Sequence, residues 1–204
     1  MLIHKGTVTL TTSRLILRRL TIQDAQAMYD NWASDEAVPK FMSWDTHKSV
    51  EMIAGVYGKF NGDIDEWISF CRLAEKQETL PDWGSPYFVP HSQFLLIRQS
   101  DNKMLGIIML RHELNGALQE RGGHIGFSVR PFEQRKGYAK TMLSLCLEKC
   151  RERRLDRVLI TCYDENEASR RTIIACGGVF ERTTSENEKT LERYWVTIPT
   201  EVQL

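Results

Sequence analysis

A strand-like segment, a short loop and a strongly amphipathic segment follow one another directly between residues 126 and 150. Pro131 stops the strand that ends at Val129, because proline cannot donate to a sheet ladder. The apolar residues that follow recur at i, i+3, i+4, i+7, i+8 and i+11, and they are Ala139, Met142, Leu143, Cys146, Leu147 and Cys150. This spacing puts these side chains on one face of a helix that begins near Tyr138. The chain must therefore fold so that a strand leads straight into the start of a packed helix.

The loop and the helix start together have the features of a phosphate-binding turn. The first amides of a helix lack partners within the helix and lie at the positive end of its dipole, so a pyrophosphate can accept several hydrogen bonds there. Gly137 lets the backbone approach a ligand closely, and the small Ala139 leaves room beside it. Arg135 and Lys136 add positive charge. A solvated loop is the alternative interpretation, but the strand before the turn and the helix after it favour the phosphate site.

The rest of the sequence predicts a single mixed α/β domain that spans residues 1–204. The predicted elements, in chain order, are a strand at 14–20, helices at about 22–32 and 46–60, strands at 94–98, 104–111 and 124–130, the helix from 138, a strand at 157–162, a helix at 167–176, and strands at 179–182 and 191–198. An Asn-Gly pair at 115–116 predicts a turn. The segment 61–91, with a short helix at about 65–75 followed by several prolines, predicts a lid or a long loop. The helix-bearing crossover lies between the fourth and fifth strands.

Composition narrows the class of protein. The chain has 27 Lys and Arg against 27 Asp and Glu, so no overall field attracts nucleic acid or an anionic membrane, and neither is predicted as a partner. Its five cysteines are odd in number and include no CxxC pair, and the opening residues lack a secretory signal. We therefore expect a soluble cytoplasmic protein with reduced thiols. No metal is predicted, because no set of Cys, His and carboxylate residues has zinc spacing.

The string Gln134-x-x-Gly137-x-Ala139 resembles the Q/R-x-x-G-x-G/A signature of the GNAT superfamily of acetyl-CoA-dependent N-acyltransferases. The resemblance extends over roughly residues 10–199. The opening strand and helix are similar to the ribosomal-protein alanine acetyltransferase branch, and from about Trp67 onward the chain is similar to a group of predicted acetyltransferases of undefined substrate. The resemblance implies a GNAT-like fold, whose central, mostly antiparallel sheet is splayed at strands four and five, and acetyl-CoA as the cofactor.

The resemblance also implies which residues hold the cofactor. In the family the backbone of the fourth strand binds the pantetheine arm, and the matching residues here are Phe127, Ser128 and Val129. The pyrophosphate turn comprises Gln134, Arg135, Lys136, Gly137, Tyr138 and Ala139. Asn166 and Ser169 match the N-x-x-S element after strand five, whose asparagine contacts the cofactor in the family. Capping of the following helix is the alternative role for Asn166.

Catalysis requires groups that move protons. An amine with a pKa near 10.4 must lose a proton before it attacks, so we expect a base near the acyl carbon. The candidates are Glu113, at the end of strand three, and His112 and His124, near the opening of strand four. For each of them, a surface or structural role is the alternative to catalysis. Many relatives place a tyrosine where this chain has Ile173, and that tyrosine protonates the departing thiolate. Here either Ser169 or a water must protonate the thiolate, or the thiolate leaves without assistance.

These expectations combine into one function and one alternative. The function is transfer of an acetyl group from acetyl-CoA to a primary amine by direct attack in a ternary complex, with a protein N-terminus or a small molecule as acceptor. The alternative, which the missing tyrosine motivates, is a CoA-binding sensor or interaction module without catalysis. The last strand is expected to be exposed, so Tyr194, Trp195 and Val196 could contact a second subunit in a homodimer.

Overall fold

The computed structural model describes residues 9–36, 46, 48–49, 63–76, 89–186 and 188–199. Its strands are β1 (Leu10–Thr11), β2 (Leu15–Arg19), β3 (His91–Arg98), β4 (Lys103–Arg111), β5 (Ile125–Val129), β6 (Arg157–Tyr163), β7 (Val179–Glu186) and β8 (Lys189–Thr197). Its helices are α1 (Asp24–Met28), which a π-helical turn (Tyr29–Ala33) extends, α2 (Ile64–Glu75), α3 (Gly116–Glu120), α4 (Tyr138–Glu152) and α5 (Glu167–Ala175). A 3-10 turn (Pro131–Glu133) lies between β5 and α4.

The predicted elements that fall on described residues occur in the predicted order, with β5 as the predicted fourth strand and β6 as the fifth, and the structure adds β1 and α3, which were not predicted. Most of the predicted helix at 46–60, and residues 61–62 and 77–88 of the predicted lid, fall outside the described residues. The turn predicted at Asn115 is wrong, because this residue caps helix α3: its Oδ1 accepts a hydrogen bond from the amide of Leu118 at 3.0 Å. Asparagine stabilises turns and helix starts alike, so the residue type alone does not separate them.

Two antiparallel sheets meet at one junction. The first has the strand order β1-β2-β3-β4-β5, and the second has the order β6-β8-β7. They are joined where the amide of His124 donates to the carbonyl oxygen of Leu159 at 2.7 Å and the amide of Leu159 donates to His124 Nδ1 at 2.9 Å. Beyond this junction β5 pairs only with β4 among the described strands, so the sheets diverge towards Val129. The splayed sheet that the resemblance implies is therefore confirmed.

Gly123 fixes how closely the two sheets approach. Its φ of +59° lies in the left-handed region that favours glycine, and a Cβ built on it would lie 2.4 Å from the carbonyl oxygen of Leu159. Any side chain at this position would collide with backbone and drive β6 away from the start of β5. The absence of a side chain at Gly123 thus allows the junction from which the strands splay.

Helix α4 is anchored through the apolar face that its sequence predicts. Met142, Leu143, Cys146 and Cys150 are completely buried in a core with residues of β2 to β6, β8 and α5, and Ala139 and Leu147 pack against its edge. Burial of each large side chain contributes about 1.5–3 kcal/mol. A second core on the opposite face of the first sheet contains residues of α1 and α2. The packing of α4 fixes its N-terminus at the splayed end of β5.

The prediction that the last strand is exposed is wrong. Strand β8 lies between β6 and β7, and Tyr194 and Val196 are each only 3% exposed. The hairpin formed by β7 and β8 places β7 at the edge of the sheet, so β8 is paired on both sides. A homodimer stays a prediction, but its interface cannot be the edge of β8.

Across the ranges that the structure describes, no helix is both long enough and apolar enough to cross a bilayer.

Candidate functional site

The turn between β5 and α4 is folded back onto the end of the strand. The amide of Arg130 donates to the carbonyl oxygen of Leu105 at 2.9 Å, which keeps the chain paired to β4 until the turn begins. The side chain of Gln134 then returns to β5, where its Nε2 donates to the carbonyl oxygen of Val129 at 3.1 Å. Gln134 therefore closes the turn against the strand, and apart from the motif no feature of the sequence predicts this hydrogen bond.

Gly137 is the N-cap of α4 and opens the first turn of the helix to a ligand. Its φ is +82°, and a Cβ built on it would meet no protein atom within 4 Å. The first bond within the helix runs from the amide of Thr141 to the carbonyl oxygen of Gly137 at 3.1 Å. The amides of Tyr138, Ala139 and Lys140 precede that bond, so the helix itself gives them no acceptor. This partly exposed and partly positive turn fits a diphosphate.

The two cations of the motif have different surroundings. Lys136 Nζ donates to Glu133 Oε2 at 2.9 Å and to the carbonyl oxygen of Phe132 at 3.0 Å. Arg135 is exposed and adopts a φ of +60°, an uncommon conformation for a residue with a side chain. Arg135 is thus the cation that extends into solvent at the turn, whereas Lys136 is folded back onto its own loop. The buried partner Glu133 was missed from the sequence, although its i,i+3 spacing to Lys136 was visible.

The splayed edge of β5 presents backbone groups to the cleft between the sheets. The bonds from Arg111 to His124 and from Arg130 to Leu105 show which residues direct their backbone towards β4. Because this direction alternates along a strand, the amides and carbonyls of Phe127 and Val129 face away from β4, and those of Ser128 face β4. Of the three residues predicted for the pantetheine arm, Phe127 therefore offers its amide and carbonyl on the open side, whereas Val129 offers its amide, because its carbonyl oxygen accepts from Gln134 Nε2.

Asn166 caps helix α5, as the alternative interpretation has it. Its Oδ1 accepts a hydrogen bond from the amide of Ser169 at 3.2 Å. The side-chain NH2 remains as the group with which Asn166 could contact a cofactor. Both residues are partly exposed in the first turn of α5, directly after the end of β6.

The surroundings of His124 favour a structural role. The ring is 8% exposed, and its Nδ1 accepts the bond from Leu159 that joins the sheets. Burial, together with the charge of Arg111, lowers the pKa of His124 to about 4. At neutral pH the imidazole is therefore uncharged, its proton is on Nε2, and its basic nitrogen is already engaged.

The other predicted groups differ in accessibility. His112 is 6% exposed, and its Nε2 lies 2.8 Å from the hydroxyl of the buried Ser92. Glu113, two residues beyond the end of β4, is exposed. Ile173 is completely buried in the core against Gly178, on which a Cβ would lie 2.4 Å from Ile173 Cγ2. The position at which the resemblance implies a proton-donating tyrosine is therefore a packing position in this chain.

The two buried neutral histidines predict that acid destabilises the fold. Burial also lowers the pKa of His91 to about 4, below the value of about 6.5 expected in the unfolded chain. The unfolded state therefore binds protons first, and stability is lost as the pH falls from about 6.5 towards 4. For His91 the free energy of unfolding is expected to drop by about 2 kcal/mol between pH 7 and pH 5, with a further loss from His124.

Urea unfolding at both pH values measures this difference, and a His91→Gln variant serves as the control because it should show a smaller one. Equal stability of the unmodified protein at pH 5 and pH 7 would contradict neutral burial of these rings.

Comparison with known proteins agrees with this geometry. Residues 14–179 match the family model described as Acetyltransferase (GNAT) domain. The uncharacterized N-acetyltransferase YoaA of Bacillus subtilis (strain 168) is 25% identical over 169 residues, which cover 82% of this chain and 81% of YoaA. The solved ribosomal-protein-S5-alanine acetyltransferase of Vibrio fischeri has a TM-score of 0.68 at 14% identity and covers 94% of this chain and 97% of its own. The ribosomal L7/L12 alpha-N-protein acetyltransferase RimL, solved with coenzyme A, has a TM-score of 0.66 at 16% identity, with 94% and 98% coverage.

Proposed function

Because the chain belongs to the acetyltransferase (GNAT) domain family, we propose that it transfers an acetyl group from acetyl-CoA to a primary amine of a small molecule or of a protein N-terminus. The observation that carries the proposal is the first turn of α4, which lies open in front of Gly137 at the splayed end of β5. Acetyl-CoA supplies an activated thioester. The relatives named above include enzymes for protein N-termini, which supports that acceptor class without excluding small amines.

The chain's own groups are arranged to bind an elongated anionic cofactor. The amides of Tyr138, Ala139 and Lys140 would donate hydrogen bonds to the diphosphate, and Arg135 would supply positive charge from the solvent side. The open backbone edge at Phe127 and Val129 would bond the amide-containing arm much as a neighbouring strand would. The side-chain NH2 of Asn166 could donate to the same arm from α5.

The proposed reaction forms a C–N bond and breaks the thioester C–S bond. The amine must be neutral when it attacks, and the leaving thiolate gains a proton at the end. We propose the exposed Glu113, acting through water, as the base and Ser169 as the residue that assists the thiolate. His124 instead maintains the junction of the sheets, where its Nδ1 is engaged and its pKa is too low for an efficient base.

The function is tested by following free thiol from acetyl-CoA in the presence of peptide N-termini, polyamines, aminoglycosides and amino acids. The proposal predicts that at least one amine stimulates thiol release and appears acetylated by mass spectrometry. Tight binding of acetyl-CoA without acceptor-stimulated release by any member of the panel would favour the CoA-binding sensor instead. A Glu113→Gln variant should lower the rate with little change in cofactor affinity.

We also propose that the protein works in the cytoplasm. All five cysteines are free thiols, and Cys146, Cys150 and Cys162 are buried in the core. Free thiols in this number are typical of a reducing compartment.

A further inference from the structure

The turn that precedes α4 encloses a buried carboxylate. Glu133 is 4% exposed at the end of the 3-10 turn and lies among three cations. Its Oε2 accepts hydrogen bonds from Lys136 Nζ at 2.9 Å and from Arg98 Nη1 at 3.2 Å, and its Oε1 lies 3.5 Å from Lys103 Nζ. Lys136, followed by Arg98, lowers the pKa of Glu133, so the carboxylate is ionised at neutral pH.

The same cluster connects the turn to a distant part of the chain. Arg98 and Lys103 flank the hairpin between β3 and β4, and Arg98 also makes a bidentate pair with Asp101, at 2.9 Å and 2.6 Å. Arg98 Nη1 further lies 3.5 Å from the hydroxyl of Tyr138, the first residue of α4. Glu133 is therefore the carboxylate that links Arg98 and Lys103 of the hairpin to Lys136 of the turn.

The turn depends on such side-chain contacts because its backbone provides few. None of the backbone amides of residues 135–140, all of which the structure describes, donates to a backbone carbonyl. Two of its residues, Arg135 and Gly137, also adopt positive φ values, of +60° and +82°. An arginine in that conformation costs free energy that surrounding contacts must offset.

The negative charge of Glu133 lies close to the proposed site of a negatively charged ligand. A carboxylate beside a diphosphate site repels the ligand and would weaken binding if it had no other role. We infer that Glu133 is a positioning residue, which fixes the turn in its ligand-binding conformation and retains Lys136 as a tether rather than as a phosphate ligand. This inference rests on the proposed function for the identity of the ligand, but the order of the turn can be measured without any ligand.

The decisive variant is Glu133→Gln, because two roles predict opposite results. Positioning predicts that the dissociation constant for CoA, measured by calorimetry, rises about tenfold or more, although a negative charge has been removed. A carboxylate that only repels the ligand predicts equal or tighter binding, which would overturn the inference. Glu148→Gln is the matched control, since it removes the same charge from an exposed position on α4 and should change the constant less than about twofold.

Hydrogen exchange in the ligand-free protein separates this inference from the proposed function. Glu133→Gln should speed exchange of the amides at 134–140 relative to the unmodified protein, and unchanged exchange would overturn positioning even if CoA binds. Failure of the unmodified protein to bind CoA would instead refute the proposed function. If Glu133→Gln does not fold, Lys136→Met decides the question: a tether predicts faster exchange at 134–140, whereas a lysine that serves only as a phosphate ligand predicts no change.

Discussion

Replacement of Gly137 with valine is expected to raise the dissociation constant for acetyl-CoA by about 100-fold or more. The space over the N-terminus of α4 is open because Gly137 has no side chain, and a branched one would occupy the approach to the amides of Tyr138 and Ala139. Loss of two charge-assisted hydrogen bonds, at about 1.5–3 kcal/mol each, accounts for a change of this size. Isothermal titration calorimetry at fixed ionic strength measures it.

A Gly137→Asn variant separates obstruction from backbone strain. Asparagine tolerates positive φ better than valine, as Asn102 shows in this chain with a φ of +53°. We therefore expect Gly137→Asn to retain most of the stability of the parent protein and yet to bind the cofactor weakly. Unchanged affinity in both variants would place the diphosphate elsewhere.

Replacement of Gly123 with alanine is expected to destabilise the fold by about 3 kcal/mol or more. The new Cβ would lie 2.4 Å from the carbonyl oxygen and 2.9 Å from the carbonyl carbon of Leu159, so backbone must move. Overpacking of this kind costs about 1–3 kcal/mol, and the left-handed conformation of Gly123 adds about 1–2 kcal/mol. Chemical denaturation of the purified variant measures the loss.

Gly126→Ala is the control for this prediction. Gly126 lies in β5, three residues further along the chain, and a Cβ built there meets nothing within 4 Å, so the stability of this variant should differ from that of the parent protein by less than about 1 kcal/mol. Similar stability of Gly123→Ala and Gly126→Ala would show that the two sheets do not join as closely as the structure has them.

The sequence predicted the fold best where side-chain spacing was long and regular. Helix α4 follows from its apolar residues, and its buried face is the predicted one. Helix α3 was missed because five residues are too few to show helical periodicity, and Gly116 at its start is a poor helix former. The central place of β8 was missed because strand order within a sheet depends on tertiary pairing and not on the pattern of a single strand.

The candidate site was predictable as a turn but not as a set of contacts. The motif locates Gly137 and the helix start, because both properties are local to the chain. The different environments of Arg135 and Lys136 depend on Glu133, whose burial is set by the hairpin that carries Arg98. The hydrogen bond between the amide of Leu159 and His124 Nδ1 likewise crosses the junction of the two sheets, and spacing along the chain does not reveal such a contact.

The most direct test is a crystal structure of the protein grown with CoA. It should show diphosphate oxygens within about 3.2 Å of the amides of Tyr138 and Ala139, and the pantetheine arm bonded to the open edge of β5 at Phe127 and Val129. A diphosphate bound away from the first turn of α4, with those amides still facing solvent, would contradict the proposed cofactor site.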